Sequence, residues 1–176
     1  EAAHTPNMDH IAREGAMGLL KTVPDGFTAG SDIANLSVLG YDPAECYTGR
    51  GALEAASMGI DMADTDIALR CNLVTLSPED PYEEKIMTDY SSGEIATEEA
   101  RMLMAAISAE LNSESFSFYP GVSYRHCLIW KNGEDGVSFT PPHDISGKKI
   151  APFLPRGEKS DIFISFMKKS EKILKN

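Results

Sequence analysis

Apolar and polar positions along this chain follow two different periods. Apolar residues three or four positions apart predict helices in HTPNMDHIAREG, SDIANLSVLG, TEEARMLMAAISAEL and SDIFISFMKKSEKILKN. Short runs rich in branched and aromatic residues predict strands in GLLKTV, IALRCNLVTL, KIMTDY, SFSFYPG and SYRHCLIW. The segment TPPHDISGKKIAPFLPRG has neither period and is too long for a plain connector, so we predict an irregular loop there.

The helix patterns also predict ends and buried faces. Thr5 and Thr97 precede or begin such patterns and are expected to cap the helices, with Pro6 in the first helical position of the earlier one. Pro120 and Gly121 are expected to form the turn between two strands. The residues predicted to line buried helix faces are Met8, Ile11, Ala12, Met102, Ala105, Ala106, Ala109, Ile162, Phe166 and Ile173.

Charge and cysteine content narrow the function classes. The 176 residues carry 27 acids and 16 bases, for a net charge of −11, which argues against nucleic acid or an anionic membrane as a partner. Cys46, Cys71 and Cys127 form no metal-binding or disulfide spacing, so buried thiols in a reducing cytoplasm are expected. No apolar run reaches the roughly 20 residues that span a bilayer, and no signal peptide is predicted.

Ser31, in the stretch GSDIANLSVLG, has two possible interpretations. A serine and an aspartate before a helix are most often a cap and a first-turn carboxylate. Alternatively, Ser31 is a nucleophile, because a helix N-terminus supplies N–H donors and positive partial charge that suit a phosphate. Gly30 would allow a sharp turn and close approach of a ligand to the backbone.

Four of the six arginines lie outside the predicted amphipathic helices, in strand patterns or in stretches rich in glycine and proline. They are Arg50, Arg70, Arg125 and Arg156. A guanidinium within an apolar strand must be paired or face a cleft, and its planar fork suits carboxylate and phosphate oxygens. The competing interpretation is a strand with one solvated face. Of the four histidines, His126 is beside Arg125, and none has a local metal-ligand spacing.

Six motifs in order resemble the archaeal-type cofactor-independent phosphoglycerate mutases, from Thr5 to about Leu174. They are TPNMDHIAREGAMGLLKTVPDG, GSDIANLSVLGYDP, YTGRGALEAASMGI, LRCNLVTL, FYPGVSYRH and TPPHDISGK. The resemblance implies an alkaline-phosphatase-like metalloenzyme with two divalent metal ions, usually manganese and otherwise magnesium or zinc, and a serine that takes the phosphoryl group. It also implies an inserted cap domain that grips the glycerate.

Carried to this sequence, the resemblance makes Ser31 both the phosphorylated nucleophile and one metal ligand. The residues expected to bind substrate are Asp32, Arg50, Arg70, Asn72, Arg125 and His126. The resemblance places the first metal-binding aspartate before this chain and the main metal cluster after it, and Asn35 stands where many members have histidine. We therefore expect this chain to be a fragment of a larger enzyme. As a fragment it should be inactive alone and should bind metal poorly.

The expected fold class is α/β, with a partial alkaline-phosphatase-like core segment followed by an α+β cap domain with a mainly antiparallel sheet. The expected domains are 1–50, carrying the nucleophile turn, and 51–176, the substrate-gripping cap. The leading function is a cytoplasmic, glycolytic isomerase that interconverts 3-phosphoglycerate and 2-phosphoglycerate through phosphoserine. The alternatives are a phosphotransferase or phosphatase of the same superfamily, homoserine kinase-like or phosphonopyruvate decarboxylase-like, and a non-catalytic anion-binding lobe. The sequence leaves the oligomeric state open.

Overall fold

The computed structural model describes residues 3–175, and the chain forms two compact units that divide between Thr48 and Gly49. The division lies close to the expected boundary at residue 50. Assigning a catalytic core to the first unit and a cap to the second remains a prediction.

The first unit is built from three helices. They are α1 (Pro6–Glu14), α2 (Ser31–Val38) and α3 (Pro43–Cys46). Thr5 is the N-cap residue of α1 and Pro6 is its first helical residue, as predicted. The Thr5 hydroxyl donates to the Asp9 carboxylate at 3.0 Å rather than capping the backbone.

Two expectations for the first unit are wrong. The apolar stripe of α1 is not buried within the described residues, since Met8 and Ile11 are 70% and 68% exposed. Among the described residues, the predicted strand at 18–23 is irregular chain without strand pairing. A strand exists only when a neighbour shares its backbone hydrogen bonds, and sequence pattern cannot supply that neighbour.

The second unit contains an antiparallel three-stranded sheet. Its strands are β1 (Ile67–Asn72), β4 (Phe116–Val122) and β5 (Arg125–Trp130), and β5 lies in the centre. Two small antiparallel pairs accompany it: β2 (Thr75–Leu76) with β3 (Met87–Asp89), and β6 (Val137–Ser138) with β7 (Arg156–Gly157). The mixed α/β class with antiparallel sheets agrees with the expectation.

Helices cover both faces of the three-stranded sheet. They are α4 (Arg50–Ser57), α5 (Thr97–Leu111) and α6 (Ser160–Leu174). Leu128 and Trp130 of β5 pack in one core cluster with residues of α5 and α6, including Phe163. Cys127 and Ile129, which alternate with them, pack against Ala55 of α4. Ile162, Phe166 and Ile173 of α6 pack against the first cluster, as predicted.

The buried face of α5 differs from the prediction. Met102 is 74% exposed and the three alanines of the predicted face are also exposed. The residues that α5 buries are Ala100, Met104, Ile107 and Leu111. Both stripes have helical spacing, but the one with larger side chains removes more apolar area from water. Thr97 also begins the helix instead of capping it, and its Oγ1 accepts a hydrogen bond from the Ser123 N–H at 3.1 Å.

Two smaller expectations are corrected. Pro120 and Gly121 lie inside β4 at an irregularity of the ladder, and the chain turns at Ser123 and Tyr124 instead. Cys46 is exposed and Cys71 is half-buried, so only Cys127 is the buried thiol that was expected of all three. The predicted irregular loop contains two short 3₁₀ turns, Pro142–Ile145 and Ala151–Phe153. Within residues 3–175, no helix combines the length and apolarity needed to cross a bilayer.

A buried lysine ties together distant parts of the second unit. Lys85 is 0% exposed, and its Nζ donates to the Glu79 carbonyl at 2.6 Å and lies 3.1 Å from Glu171 Oε1 on α6. A buried ammonium is costly unless its hydrogen bonds and its charge are satisfied. Here a backbone carbonyl and a carboxylate provide both. Lys85 therefore fixes the 77–80 segment against α6.

We expect Lys85→Met to lower the free energy of unfolding by about 3 kcal/mol, because the Glu79 carbonyl and Glu171 lose a buried partner. Lys175→Met is the matched control, since Lys175 pairs with the same Glu171 oxygen at 2.7 Å but is 61% exposed. Its effect should stay below about 1 kcal/mol. Urea unfolding of the two variants measures the difference, and equal effects would contradict the special role of the buried lysine.

Candidate active site

Ser31 is the first residue of α2 and is exposed. Gly30, with extended φ −155° and ψ 151°, is the N-cap residue, and its carbonyl accepts from the Ala34 N–H at 3.0 Å. The capping interpretation of Ser31 is therefore wrong. The first N–H groups of a helix have no partner within the helix and carry partial positive charge. Ser31 thus places a solvent-accessible hydroxyl where an anion is favoured.

The Asp32 carboxylate is held beside Ser31 by two features of the first unit. The Tyr47 hydroxyl donates a hydrogen bond to Asp32 Oδ2. The other oxygen lies over Gly30, where an added Cβ would be only 2.4 Å from Asp32 Oδ1. Gly30 is therefore needed for this orientation, for steric reasons rather than for its φ. Sequence reasoning missed Tyr47, because it lies fifteen positions after Asp32 and nothing in the sequence signals their contact.

The strand register brings three of the expected substrate residues to one face of the second unit's sheet. Arg70 lies opposite Cys127, and Asn72 lies opposite Arg125, in the ladder between β1 and β5. Successive side chains of a strand point to opposite faces, so residues 70, 72 and 125 share the face that α4 covers. The sequence alone could not place Arg125 beside Asn72, because the register depends on tertiary pairing.

The two strand arginines have different surroundings. The Nε of Arg70 lies 2.7 Å from Glu54 Oε1 on α4, but its N–H is not aligned with an acceptor among the described residues, so the contact is an ion pair rather than a directed hydrogen bond. The guanidinium of Arg125 lies 5.4 Å from the centre of the Tyr124 ring. Arg125 also lines a cavity of about 380 Å³ with Thr97 and Ser123. Glu54 is the second contact that sequence reasoning missed.

Arg50 is an exposed residue that begins α4, after Gly49 at φ +115°. Arg156 is exposed in β7, where its guanidinium donates to the Pro152 carbonyl. Ser31 and Asp32 lie in the first unit, whereas Arg50, Arg70, Asn72, Arg125 and His126 lie in the second.

His126 differs from the other candidates because it is 1% exposed and alternates along β5 onto the face covered by α5 and α6. Its Nδ1 accepts a hydrogen bond from the Gly121 N–H at 3.0 Å. Its Nε2 is buried and has no hydrogen-bond partner within the described residues. Burial lowers the pKa of His126 to about 4. The structure therefore places a neutral imidazole apart from the arginine face.

The metal ions implied by the resemblance can be tested against the donor groups. Within residues 3–175, no three histidine, cysteine, aspartate or glutamate side chains are grouped so that they could hold a metal ion. These residues do not fit a two-ion site by themselves. The candidate groups that this chain does contain are a hydroxyl, a carboxylate and several guanidinium groups.

The buried His126 should make stability depend on pH. The unfolded imidazole takes up a proton near pH 6.5, while the folded one stays neutral down to about pH 4. The contribution of neutral His126 to the free energy of unfolding is therefore fully present above the unfolded pKa. It is lost as pH falls, by at most about 3 kcal/mol at pH 4. Urea unfolding between pH 7.5 and 4 should show a smaller loss in His126→Asn. An equal loss in both proteins would contradict the assignment.

Comparisons with known proteins match nearly the whole chain, including the six motifs quoted from the sequence. The family model described as 2,3-bisphosphoglycerate-independent phosphoglycerate mutase matches residues 12–176. A probable mutase of this name from Geobacter sulfurreducens is 51% identical over 176 residues, which are 100% of this chain and 44% of that protein. The mutase from Methanosarcina barkeri is 54% identical over 99% of this chain and 42% of its own length.

Solved structures are similar as well. A cofactor-independent phosphoglycerate mutase from Thermoplasma acidophilum matches with a TM-score of 0.58 and 25% identity, over 85% of this chain and 40% of that one. A protein from Pyrococcus horikoshii matches with a TM-score of 0.64 and 26% identity, over 99% of this chain and 38% of that one. The chain spans less than half the length of these relatives. It belongs to the 2,3-bisphosphoglycerate-independent phosphoglycerate mutase family.

Proposed function

We propose that this chain is the part of a phosphoglycerate mutase that carries the phosphoryl-accepting serine and grips the substrate. The observation that carries the proposal is the position of Ser31, exposed as the first residue of α2 in a chain that the family model matches from residue 12 to residue 176. The substrates would be 3-phosphoglycerate and 2-phosphoglycerate, interconverted in glycolysis. The expected location of the protein is the cytoplasm.

In this proposal Ser31 takes part in two transfers. Its Oγ loses its proton and forms a bond to phosphorus while the bond from phosphorus to one glycerate oxygen breaks, and that oxygen takes up a proton to become a hydroxyl. The other glycerate hydroxyl then forms the new bond to phosphorus and Ser31 is released. Such transfers are catalysed mainly by positioning and by stabilising charge. The N-terminus of α2 favours negative charge on the phosphoserine.

The remaining candidates have roles that fit their surroundings. Asp32, turned back by Tyr47, would accept a hydrogen bond from a glycerate hydroxyl. Arg70, Asn72 and Arg125 share a face that suits the carboxylate and phosphate of the substrate. Arg50 and His126 are further candidates for substrate binding. His126 would reach a substrate only if its buried ring became accessible.

Metal ions remain part of the proposal for the full-length protein. A serine hydroxyl is a weak nucleophile, and two divalent ions, with manganese expected, would lower the energy of its alkoxide. Ser31 would be one ligand, and the other ligands would come from outside residues 3–175.

We expect Ser31→Ala in the full-length protein to abolish phosphoenzyme formation and to lower kcat by at least about 10³-fold, because the variant lacks the hydroxyl proposed to take the phosphoryl group. The measurement is intact-protein mass after mixing with 3-phosphoglycerate and manganese. Ser37→Ala, in the same helix, is the control and should still gain the phosphoryl mass. Labelling of the Ser31 variant would move the nucleophile elsewhere.

We expect the 176-residue chain alone to be inactive as a mutase, because its described residues group no metal ligands. Conversion of 3-phosphoglycerate to 2-phosphoglycerate with added manganese can be followed by phosphorus NMR. Turnover by the purified chain, at a rate comparable to that of the full-length protein, would contradict the proposal.

A further inference from the structure

We propose that Glu54 is a positioning residue, which holds the Arg70 guanidinium in the orientation that meets the substrate. The inference rests on the proposed function, since it gives Arg70 an anion to bind. Its own basis is the ion pair between α4 and β1, together with the unusually close packing of these two elements.

Close packing of α4 on β1 brings the Glu54 carboxylate to Arg70. A Cβ added at Gly51 would lie 2.0 Å from the Ala68 carbonyl oxygen, so only glycine allows α4 to approach the strand this closely. Glu54 lies three residues after Gly51 and therefore on the same side of the helix. Arg70 lies two residues after Ala68 and therefore on the same face of the strand. The two periodicities together place Glu54 over Arg70.

Burial makes this contact more than a surface ion pair. The side chains of Arg70 and Glu54 are only 24% and 30% exposed, and Ala55, the next residue of α4, is fully buried. Solvent screens a pair of this kind less than an exposed one. Glu54 therefore restricts a long side chain that would otherwise sample many rotamers.

The geometry leaves part of the guanidinium available. Glu54 contacts Arg70 at Nε, and the terminal Nη groups of a guanidinium provide four further N–H donors. The neighbour across the strand, Cys127, does not compete as a charged group. Its pKa is raised to about 11, first by burial and then by the charge of Glu54, so its thiol is neutral near pH 7. Arg70 is thus directed by a carboxylate at its Nε, and in this proposal its Nη donors meet a bidentate anion.

Glu54 then has two effects of opposite sign. Its negative charge repels an anionic substrate, which weakens binding at Arg70. Its contact orients Arg70, which helps the transition state more than it helps ground-state binding. A purely structural glutamate would affect the free energy of unfolding without changing kcat and KM in different directions.

The test is Glu54→Gln in the full-length protein, with steady-state kinetics on 3-phosphoglycerate. Glutamine keeps the size of the side chain and removes its charge. We expect kcat to fall about 10-fold while KM stays unchanged or falls, because repulsion is lost together with orientation. Glu98→Gln, an exposed glutamate in the first turn of α5, is the control and should leave both constants unchanged.

A double-mutant cycle asks whether Glu54 acts through Arg70. In an Arg70→Lys background, which lacks the planar fork, we expect Glu54→Gln to lower kcat no further. A full additional 10-fold loss in that background would overturn the proposal, and so would a wild-type kcat in the single variant. A lower melting temperature with unchanged kcat and KM would also overturn it, as it would show a structural role.

The Ser31→Ala variant separates failure of this inference from failure of the proposed function. If Ser31→Ala still forms a phosphoenzyme, the proposed function fails and the inference fails with it. If Ser31→Ala forms none while Glu54→Gln behaves as wild type, only the positioning role of Glu54 is overturned.

Discussion

The pairing of β5 with both of its neighbours is the constraint on which the second unit depends. Residues 126–130 of this strand are all buried, so its two faces must each be covered and its register cannot slip. A shift of one residue would move Leu128 and Trp130 from the α5 and α6 side to the α4 side. The same register sets Asn72 opposite Arg125 and turns His126 away from both. Packing of apolar side chains therefore decides which polar groups can meet an anion.

Two cations of this unit, Lys85 and Arg70, are held by specific partners. Lys85 is satisfied by a backbone carbonyl and Glu171, and Arg70 is paired with Glu54. The two pairs differ in consequence. Lys85 has no exposed surface, so its interactions serve the fold. Arg70 keeps part of its side chain exposed, so its pairing leaves it able to bind a ligand. Burial thus distinguishes the lysine that stabilises the fold from the arginine that we propose binds substrate.

The candidate catalytic residue of the first unit lies at the start of α2. Ser31 is exposed there, and Gly30, Asp32 and Tyr47 determine what lies next to it. The chain matches less than half the length of its relatives, and its described residues group no set of metal ligands. In the proposed function, these residues supply the phosphoryl acceptor and the substrate contacts.

Local signals in the sequence were sufficient for the start of α1, the existence of α5 and α6, the antiparallel character of the sheet and the family motifs around Ser31. These depend on residues close together in the chain, such as proline in a first helical turn or apolar residues one turn apart. The buried face of α5, the absence of a paired strand at 18–23 and the contacts of Tyr47 and Glu54 were decided by the fold. Each depends on which surface or backbone lies opposite, and the free energy of burying that contact is set by residues far away in the sequence.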